Sequence, residues 1–179
     1  MTMTSATSAG AATDRGLPPY TVPAGTDIGH VHLKVADLER ALAFYRDVLG
    51  FELVTRYGAQ AAFVSAGGYH HHIGLNVWES RGGTPPPRGH TGLFHLAIRY
   101  PTRLDLAVAV QRLLAAGVPL QGASDHGVSE AIYLADPDAN GIELYWDRPR
   151  ERWPHAADGS IAMGTEPLDL AGLLREAAP

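Results

Sequence analysis

The chain has 179 residues, and its hydrophobic content of 45% is enough to build one domain around a real core. Its formal charge is −5, Lys34 is the one lysine and the arginines are scattered, so we expect neither nucleic acid nor an anionic membrane as a partner. No apolar stretch reaches the roughly 20 residues of a membrane-spanning helix. The lack of cysteine excludes disulfides and thiolate metal sites, and we expect the protein in the cytoplasm.

The N-terminal half begins with an arm and continues as a strand, a helix and three more strands. Residues 1–26 are rich in Ala, Thr, Ser and Gly, lack the apolar segment of a secretory signal, and are expected to be disordered. Val31, Leu33 and Val35 alternate with polar residues, which predicts a half-buried strand. Asp37 is a good helix N-cap, and Gly50 suits the position just past the helix end. Strand-like runs follow at 51–57, 61–65 and 69–78.

The second half repeats this order after a Gly- and Pro-rich linker at 79–90. A strand is predicted at 93–99, and Thr102 with Asp105 resembles a capping box that opens a helix ending near Gly117. Further strands fit 118–123, 130–135 and 141–146, with a hairpin turn at 136–141 between the last two. We therefore predict an α+β domain over 27–147, made of two βαβββ modules (28–80 and 91–147) with an open, curved mixed sheet around a metal site. An extension with one short helix near 168–177 would follow at 148–179.

Two histidines and one glutamate have matching positions in this repeat. His30 and His95 open the first strands of the two modules, and Glu143 lies in the last strand. Alternate residues of a strand face opposite sides of the sheet. The apolar sets of the three strands, which we expect beneath the helices, are Val31/Leu33/Val35, Phe94/Leu96/Ile98 and Ile142/Leu144/Trp146. That leaves the two histidines and the glutamate on the opposite face, and they form the ligand set expected of a mononuclear non-haem Fe(II) site.

The same alternation sorts three consecutive histidines. In the run 69–78 it places His71 with the apolar residues of the core, and His70, His72 and Gly74 on the ligand face. A solvated strand start is the alternative for His70 and His72. His32 would line the same cavity from the first strand, whereas Trp78, like the apolar sets above, is expected in the core.

Two stretches carry a resemblance to a known family. They read Tyr69-His-His-His-Ile-Gly-Leu-Asn76 and His126-Gly-Val-Ser-Glu-Ala-Ile-Tyr-Leu134, the second followed by Asp136-Pro-Asp138 and Gly141-Ile-Glu-Leu-Tyr145. With the repeat, they make residues 27–147 resemble the vicinal oxygen chelate superfamily, and within it the type I extradiol dioxygenases of the catechol 2,3-dioxygenase kind. Such dioxygenases usually carry two domains of this type, whereas this sequence shows one. We expect this protein to be a homo-oligomer.

The resemblance implies an activity and a metal. His30, His95 and Glu143 would hold Fe(II), with Mn(II) as the alternative, and the substrates would be a catechol-type aromatic and O2. Two neutral imidazoles and a carboxylate leave a divalent ion with about one positive charge and three open positions, which suit a catecholate and dioxygen.

The resemblance also implies roles for residues that do not bind the metal. His126 matches a histidine that hydrogen-bonds near the metal, and Tyr133 matches a tyrosine that contacts a substrate oxygen. His72 most nearly matches the acid–base histidine, with His70 and His71 as alternatives. Histidine suits that task because its ordinary pKa of about 6.5 lies near working pH.

Three other functions known in the superfamily compete with this interpretation. A glyoxalase-type isomerase would need a fourth ligand near Gly74, and glycine supplies none. A fosfomycin-type thiol transferase needs cationic side chains around a phosphonate, which a chain with one lysine hardly offers. A sequestration or resistance protein would bind a small molecule without this metal chemistry, and the metal content of the purified protein separates it from an enzyme.

Overall fold

The computed structural model describes residues 18–177. Most of the arm predicted at 1–26 therefore lies outside the described residues. Its described part, 18–26, is exposed and contains a turn in which the Thr26 amide donates to the Pro23 carbonyl at 2.9 Å. Among the described residues, no helix combines the length and apolarity needed to cross a bilayer.

The first module is a four-stranded sheet with one helical segment. Its elements are β1 (Val31–Lys34), α1 (Leu38–Leu42) continued by a π-helical stretch (Ala43–Val48), β2 (Glu52–Tyr57), β3 (Ala61–Ser65) and β4 (Ile73–Asn76). The strand order is β1-β4-β3-β2, with β1 parallel to β4 and the other pairs antiparallel. The Asp37 carboxylate accepts the Arg40 amide at 3.0 Å, which confirms the predicted N-cap.

The second module repeats this arrangement and recruits a strand from the extension. Its elements are β5 (Leu96–Arg99), α2 (Arg103–Ala115), β6 (Gly122–Asp125), β7 (Ser129–Ala135) and β8 (Gly141–Asp147), followed by β9 (Glu166–Pro167) and α3 (Leu170–Glu176). The order is β5-β8-β7-β6-β9. Thr102 and Asp105 form both bonds of the predicted capping box. The sequence predicted the start of β6 at residue 118, but the strand begins at Gly122. The difference arises because the Val118 amide donates to the Leu113 carbonyl at the end of α2.

One apolar core joins the two modules. Its largest fully buried members come from both sheets and from the helical segments: Tyr45, Leu42, Ile73, Leu75, Leu106, Leu113, Ile132, Leu134, Ile142 and Leu144. The alternation in β1, β4 and β8 is as predicted, with the apolar side chains of each strand on the core side. The α+β class and the two βαβββ modules are confirmed, and the strands form two open sheets of four and five strands.

Two aromatic residues expected in the core are exposed. Phe94 is 88% exposed and Trp78 is 54% exposed, so their predicted burial was wrong. The physical reason is strand length: β5 begins only at Leu96 and β4 ends at Asn76, so the alternation does not reach either aromatic residue. Trp146, which does lie within β8, packs half-buried against the core.

Candidate metal centre

His95 and Glu143 approach each other on the second sheet. Strand β5 runs parallel to β8, and the His95 Nε2 atom lies 2.9 Å from Glu143 Oε2. Two ligand atoms with metal bonds of about 2.1 Å at a right angle lie about 3 Å apart. An imidazole nitrogen and a carboxylate oxygen at this distance therefore fit two adjacent positions around one divalent ion.

Tyr133 and His126 extend this pair into a hydrogen-bonded chain. The antiparallel register of β7 and β8 sets Tyr133 directly opposite Glu143, and its hydroxyl lies 3.3 Å from Glu143 Oε1. His126 Nε2 lies 2.7 Å from the same hydroxyl. Burial and the neighbouring carboxylate raise the pKa of Tyr133 to about 12, so this phenol keeps its proton at neutral pH. We call His95, Glu143, Tyr133 and His126 the carboxylate half-site.

The first sheet carries a cluster of histidines. Ligand nitrogens of His30, His32 and His71 all lie within 4.8 Å of one another, and we call these three residues the histidine half-site. His70 lies beside them, with its Nδ1 atom 2.7 Å from His71 Nδ1. A Cβ atom at Gly74 would come within 2.7 Å of the His32 ring, so glycine here makes room for that imidazole. A longer carboxylate at position 74, as in an isomerase, would require the His32 ring to move.

His71 does not have the orientation that strict alternation predicted. His71 joins the ligand-face cluster rather than the core, so that prediction was wrong. The regular strand starts only at Ile73, and a bend at His72 breaks the alternation before it. His72 Nδ1 lies 3.0 Å from Ser65 Oγ and accepts the Ala66 amide at 3.3 Å.

Burial affects the chemistry of His71. Desolvation, then the neighbouring histidines, lower the pKa of His71, which favours a neutral ring. Within the described residues, His71 Nε2 and His95 Nδ1 are buried side-chain nitrogens without a hydrogen-bond partner. Each half-site thus contains a buried imidazole nitrogen whose bonding capacity is unused.

The structure brings part of the predicted ligand set together. His95 and Glu143 are neighbours, but, in the described part of the chain, the ligand atoms of His30 do not come within 4.8 Å of both. His30 precedes β1 of the first sheet, whereas the other two residues belong to the second sheet. The two half-sites are therefore separate within one chain.

An open cavity of about 380 Å³ lies over the carboxylate half-site. Besides His126, Tyr133 and Glu143, its lining comprises Ala97, Val128, Ser129, Tyr145, Asp147 and Met163. Met163 belongs to the extension, outside the βαβββ repeat, so no periodicity in the sequence indicates that it lines the cavity.

Comparison with known proteins agrees with the predicted fold. The profile of the glyoxalase/bleomycin resistance protein/dioxygenase superfamily matches residues 27–144. The chain belongs to this superfamily, the vicinal oxygen chelate proteins. The crystal structure of a glyoxalase/dioxygenase from Nostoc punctiforme has a similar fold, with a TM-score of 0.61 at 17% identity over 74% of this chain and 99% of that one. At that identity the match supports the fold.

Two curated relatives are dioxygenases by name. The chain is 42% identical over 153 residues to the catechol-2,3-dioxygenase of Bacillus subtilis (strain 168), which covers 85% of this chain and 52% of the relative. It is 32% identical over 162 residues to biphenyl-2,3-diol 1,2-dioxygenase 3 of Rhodococcus globerulus, covering 85% and 84% respectively. The chain thus spans about half the length of the first relative and most of the second.

Proposed function

We propose that this protein is a metal-dependent extradiol dioxygenase that opens a catechol-type ring beside its two hydroxyls with O2. The observation that carries the proposal is the carboxylate half-site, in which an imidazole and a carboxylate 2.9 Å apart adjoin a protonated tyrosine and its histidine partner. The similarity to relatives named as dioxygenases supports the same chemistry. The ion would be Fe(II), with Mn(II) as the alternative, because both accept nitrogen and carboxylate ligands.

The third ligand in this proposal is His30 of a second copy of the chain. The histidine half-site offers imidazoles, whereas the carboxylate half-site offers one imidazole and one carboxylate, so each supplies what the other lacks. Exposed apolar residues stand beside both: Ile28, which is 93% exposed, precedes His30, and Phe94 precedes His95. A twofold-symmetric dimer would join the half-sites twice and give two complete sites.

The protein side chains have separate tasks in this reaction. When bound, the divalent ion would hold catechol and O2 next to each other and lower the pKa of a substrate hydroxyl. Tyr133 is placed to donate a hydrogen bond to a substrate oxygen, and His126 supports the tyrosine hydroxyl. A neutral histidine near His30 would take the substrate proton and return it later. His71, with its unused Nε2 atom, is our candidate for that residue, and His72 is the alternative.

The proposed activity is tested by anaerobic reconstitution with Fe(II), followed by catechol and oxygen. We expect oxygen uptake coupled to a coloured ring-opened product. His95→Ala and Glu143→Ala should lose bound metal and activity together, while Glu151→Ala, a change at an exposed glutamate, should lose neither. Iron binding with no reaction on several catechols would contradict the dioxygenase proposal in favour of a transferase. A wild-type protein without stoichiometric metal would indicate a sequestering protein.

The shared site is tested by mixing two inactive variants, His30→Ala and Glu143→Ala. In a dimer with shared sites, one site of each mixed dimer has all its ligands, so random pairing should restore about a quarter of the wild-type metal content and activity. Sites within one chain would give no restoration. Stoichiometric metal in Glu143→Ala alone would instead assign the ion to the histidine half-site, and a monomeric wild type would also contradict the shared site.

A further inference from the structure

The extension beyond the second module makes two hydrogen bonds to the carboxylate half-site. The Gly164 amide donates to the His126 carbonyl at 3.2 Å, and His126 Nδ1 lies 2.7 Å from the Gly164 carbonyl. The backbone of the extension therefore holds the imidazole that contacts Tyr133. Gly164 and His126 both lie outside the strands that carry the proposed metal ligands.

This contact assigns the proton on the His126 ring. A carbonyl oxygen can only accept a hydrogen bond, so Nδ1 must carry the hydrogen. In a neutral imidazole, Nε2 is then an acceptor, so the Tyr133 hydroxyl 2.7 Å away can donate its one hydrogen to Nε2 before substrate binds. To donate to a substrate oxygen, the hydroxyl turns that hydrogen away from His126, so the extension sets the resting direction of the tyrosine hydroxyl.

The segment around Gly164 is anchored on both sides. After it, β9 pairs with β6, and Leu173 of α3 is fully buried against the core. Before it, Pro154 packs so closely on Gly127 that a Cβ atom there would lie 3.0 Å from the proline ring. These contacts fix the position of the intervening residues over the second sheet.

Met163 reaches the cavity from this anchored segment. It lines the cavity over the carboxylate half-site and is itself 68% exposed, so its side chain forms an outer wall. Its flexible thioether chain adapts to apolar groups of different shape. The described residues that line this cavity include no lysine or arginine that could pair with an anionic substituent. The wall therefore favours apolar groups over a carboxylate.

We infer that the extension is part of the active site: Gly164 positions His126 for Tyr133, and Met163 selects catechols that carry an apolar alkyl or aryl substituent over carboxylated ones. This inference rests on the proposed dioxygenase function. Met163 is a specificity-determining residue in this arrangement, and Gly164 is a positioning residue because it acts through His126.

The specificity is tested with Met163→Ala and Met163→Lys on catechol, an alkylcatechol, an arylcatechol and a carboxylated catechol. Met163→Ala should raise KM for the substituted apolar rings about tenfold more than it raises KM for unsubstituted catechol. Met163→Lys should shift the preference toward the carboxylated ring. Ile161→Ala, an exposed residue of the same segment that does not line the cavity, is the matched control and should change no ratio.

The positioning role is tested with Gly164→Pro, which removes the amide donor, against Gly164→Ala, whose Cβ would meet no atom within 4 Å. We expect kcat to fall in the proline variant with metal content unchanged, and to fall much less in the alanine variant, which keeps the amide donor. Unaltered specificity ratios in both Met163 variants of an active enzyme would overturn the selectivity, and an unaltered kcat in Gly164→Pro would overturn the positioning. A wild type that turns over no catechol would sink the proposed function instead, and this inference with it.

Discussion

The hydroxyl of Tyr45 donates a 2.9 Å hydrogen bond to Asp136 Oδ2 in the buried seam between the two modules. Tyr45 belongs to the π-helical stretch of the first module, whereas Asp136 begins the hairpin turn that leads into β8. The other carboxylate oxygen accepts the backbone amides of Asp138 at 2.9 Å and Asn140 at 2.8 Å. The same carboxylate therefore shapes the turn and ties it to the other module. Since β8 carries Glu143, this contact also helps to position the metal ligand.

Removing the tyrosine hydroxyl should weaken the whole fold. Tyr45→Phe leaves the buried Asp136 with one partner fewer, so we expect a loss of about 1–2 kcal/mol in the free energy of unfolding. Urea titration measures the loss. Tyr57→Phe, at a side chain that is 68% exposed, is the control and should change the midpoint little. Equal stability of the two variants would show that the hydrogen bond from Tyr45 to Asp136 does not contribute to the free energy of unfolding.

Tyr133→Phe should separate metal binding from catalysis. It keeps His95 and Glu143, so bound metal should remain at the wild-type level, whereas loss of the hydroxyl should lower kcat by about a hundredfold. Metal analysis and steady-state kinetics on the same preparation give both numbers. A variant with wild-type kcat would contradict the donor role of Tyr133.

The raised pKa of Tyr133 also predicts a pH dependence of stability. The pKa is about 12 in the folded protein, against an ordinary value of about 10 in the unfolded chain. The stabilising contribution of the protonated phenol is therefore fully present below about pH 10 and is lost as the pH rises toward 12. Unfolding free energies of wild type and Tyr133→Phe should accordingly converge or cross above pH 10, and parallel curves would speak against the shift.

Variants of the two neighbouring histidines distinguish the acid–base candidates. His71→Phe removes the imidazole that lies with His30 and His32, whereas His72→Phe removes one that bonds Ser65. If His71 moves the substrate proton, its variant should lose about a hundredfold or more in kcat, and the His72 variant should lose much less. A larger loss of kcat in the His72 variant would instead assign the acid–base role to His72. Metal content and melting temperature of both variants control for loss of the site or of the fold.

A buried glutamate links the second sheet to the extension. Glu130 accepts Arg103 Nε at 2.7 Å and Arg148 Nη2 at 3.0 Å, and Arg103 also pairs with Glu176 of α3. Glu130→Gln would leave two arginines facing a neutral group, and we expect a loss of about 3 kcal/mol. Glu151→Gln, at an exposed position, is the matched control. Chemical denaturation followed by fluorescence measures the stability of both variants. If Glu130→Gln leaves the free energy of unfolding unchanged, the ion-pair network does not stabilise the fold.

The same network predicts weakening in acid. The Arg148 guanidinium, bonded to Asp125 at 2.5 and 2.9 Å, holds the pKa of that carboxyl below its ordinary value of about 3.9. This contribution to stability is present above about pH 4 and is lost as the pH falls through the lowered pKa. Arg148→Met should remove that part of the acid dependence, which unfolding curves at successive pH values would show.

The sequence alone determined features that follow from local periodicity. Alternation in β1 and β8, the Asp37 N-cap, and the Thr102–Asp105 capping box depend on residues close in the chain, and all three are confirmed. The repeat of the βαβββ order likewise pointed to the family and to the ligand set. These signals are local because a helix or strand fixes the direction of each side chain relative to its neighbours.

Only the tertiary structure decided where those local units lie relative to one another. It separates His30 from His95 and Glu143, because the modules pack through a shared core on the far side of each sheet from the ligands. It also brings Gly164 to His126 across 38 residues, a contact that no periodicity encodes. Strand ends are equally nonlocal: hydrogen-bonded partners determine where alternation begins, and this placed His71, rather than His72, in the histidine half-site.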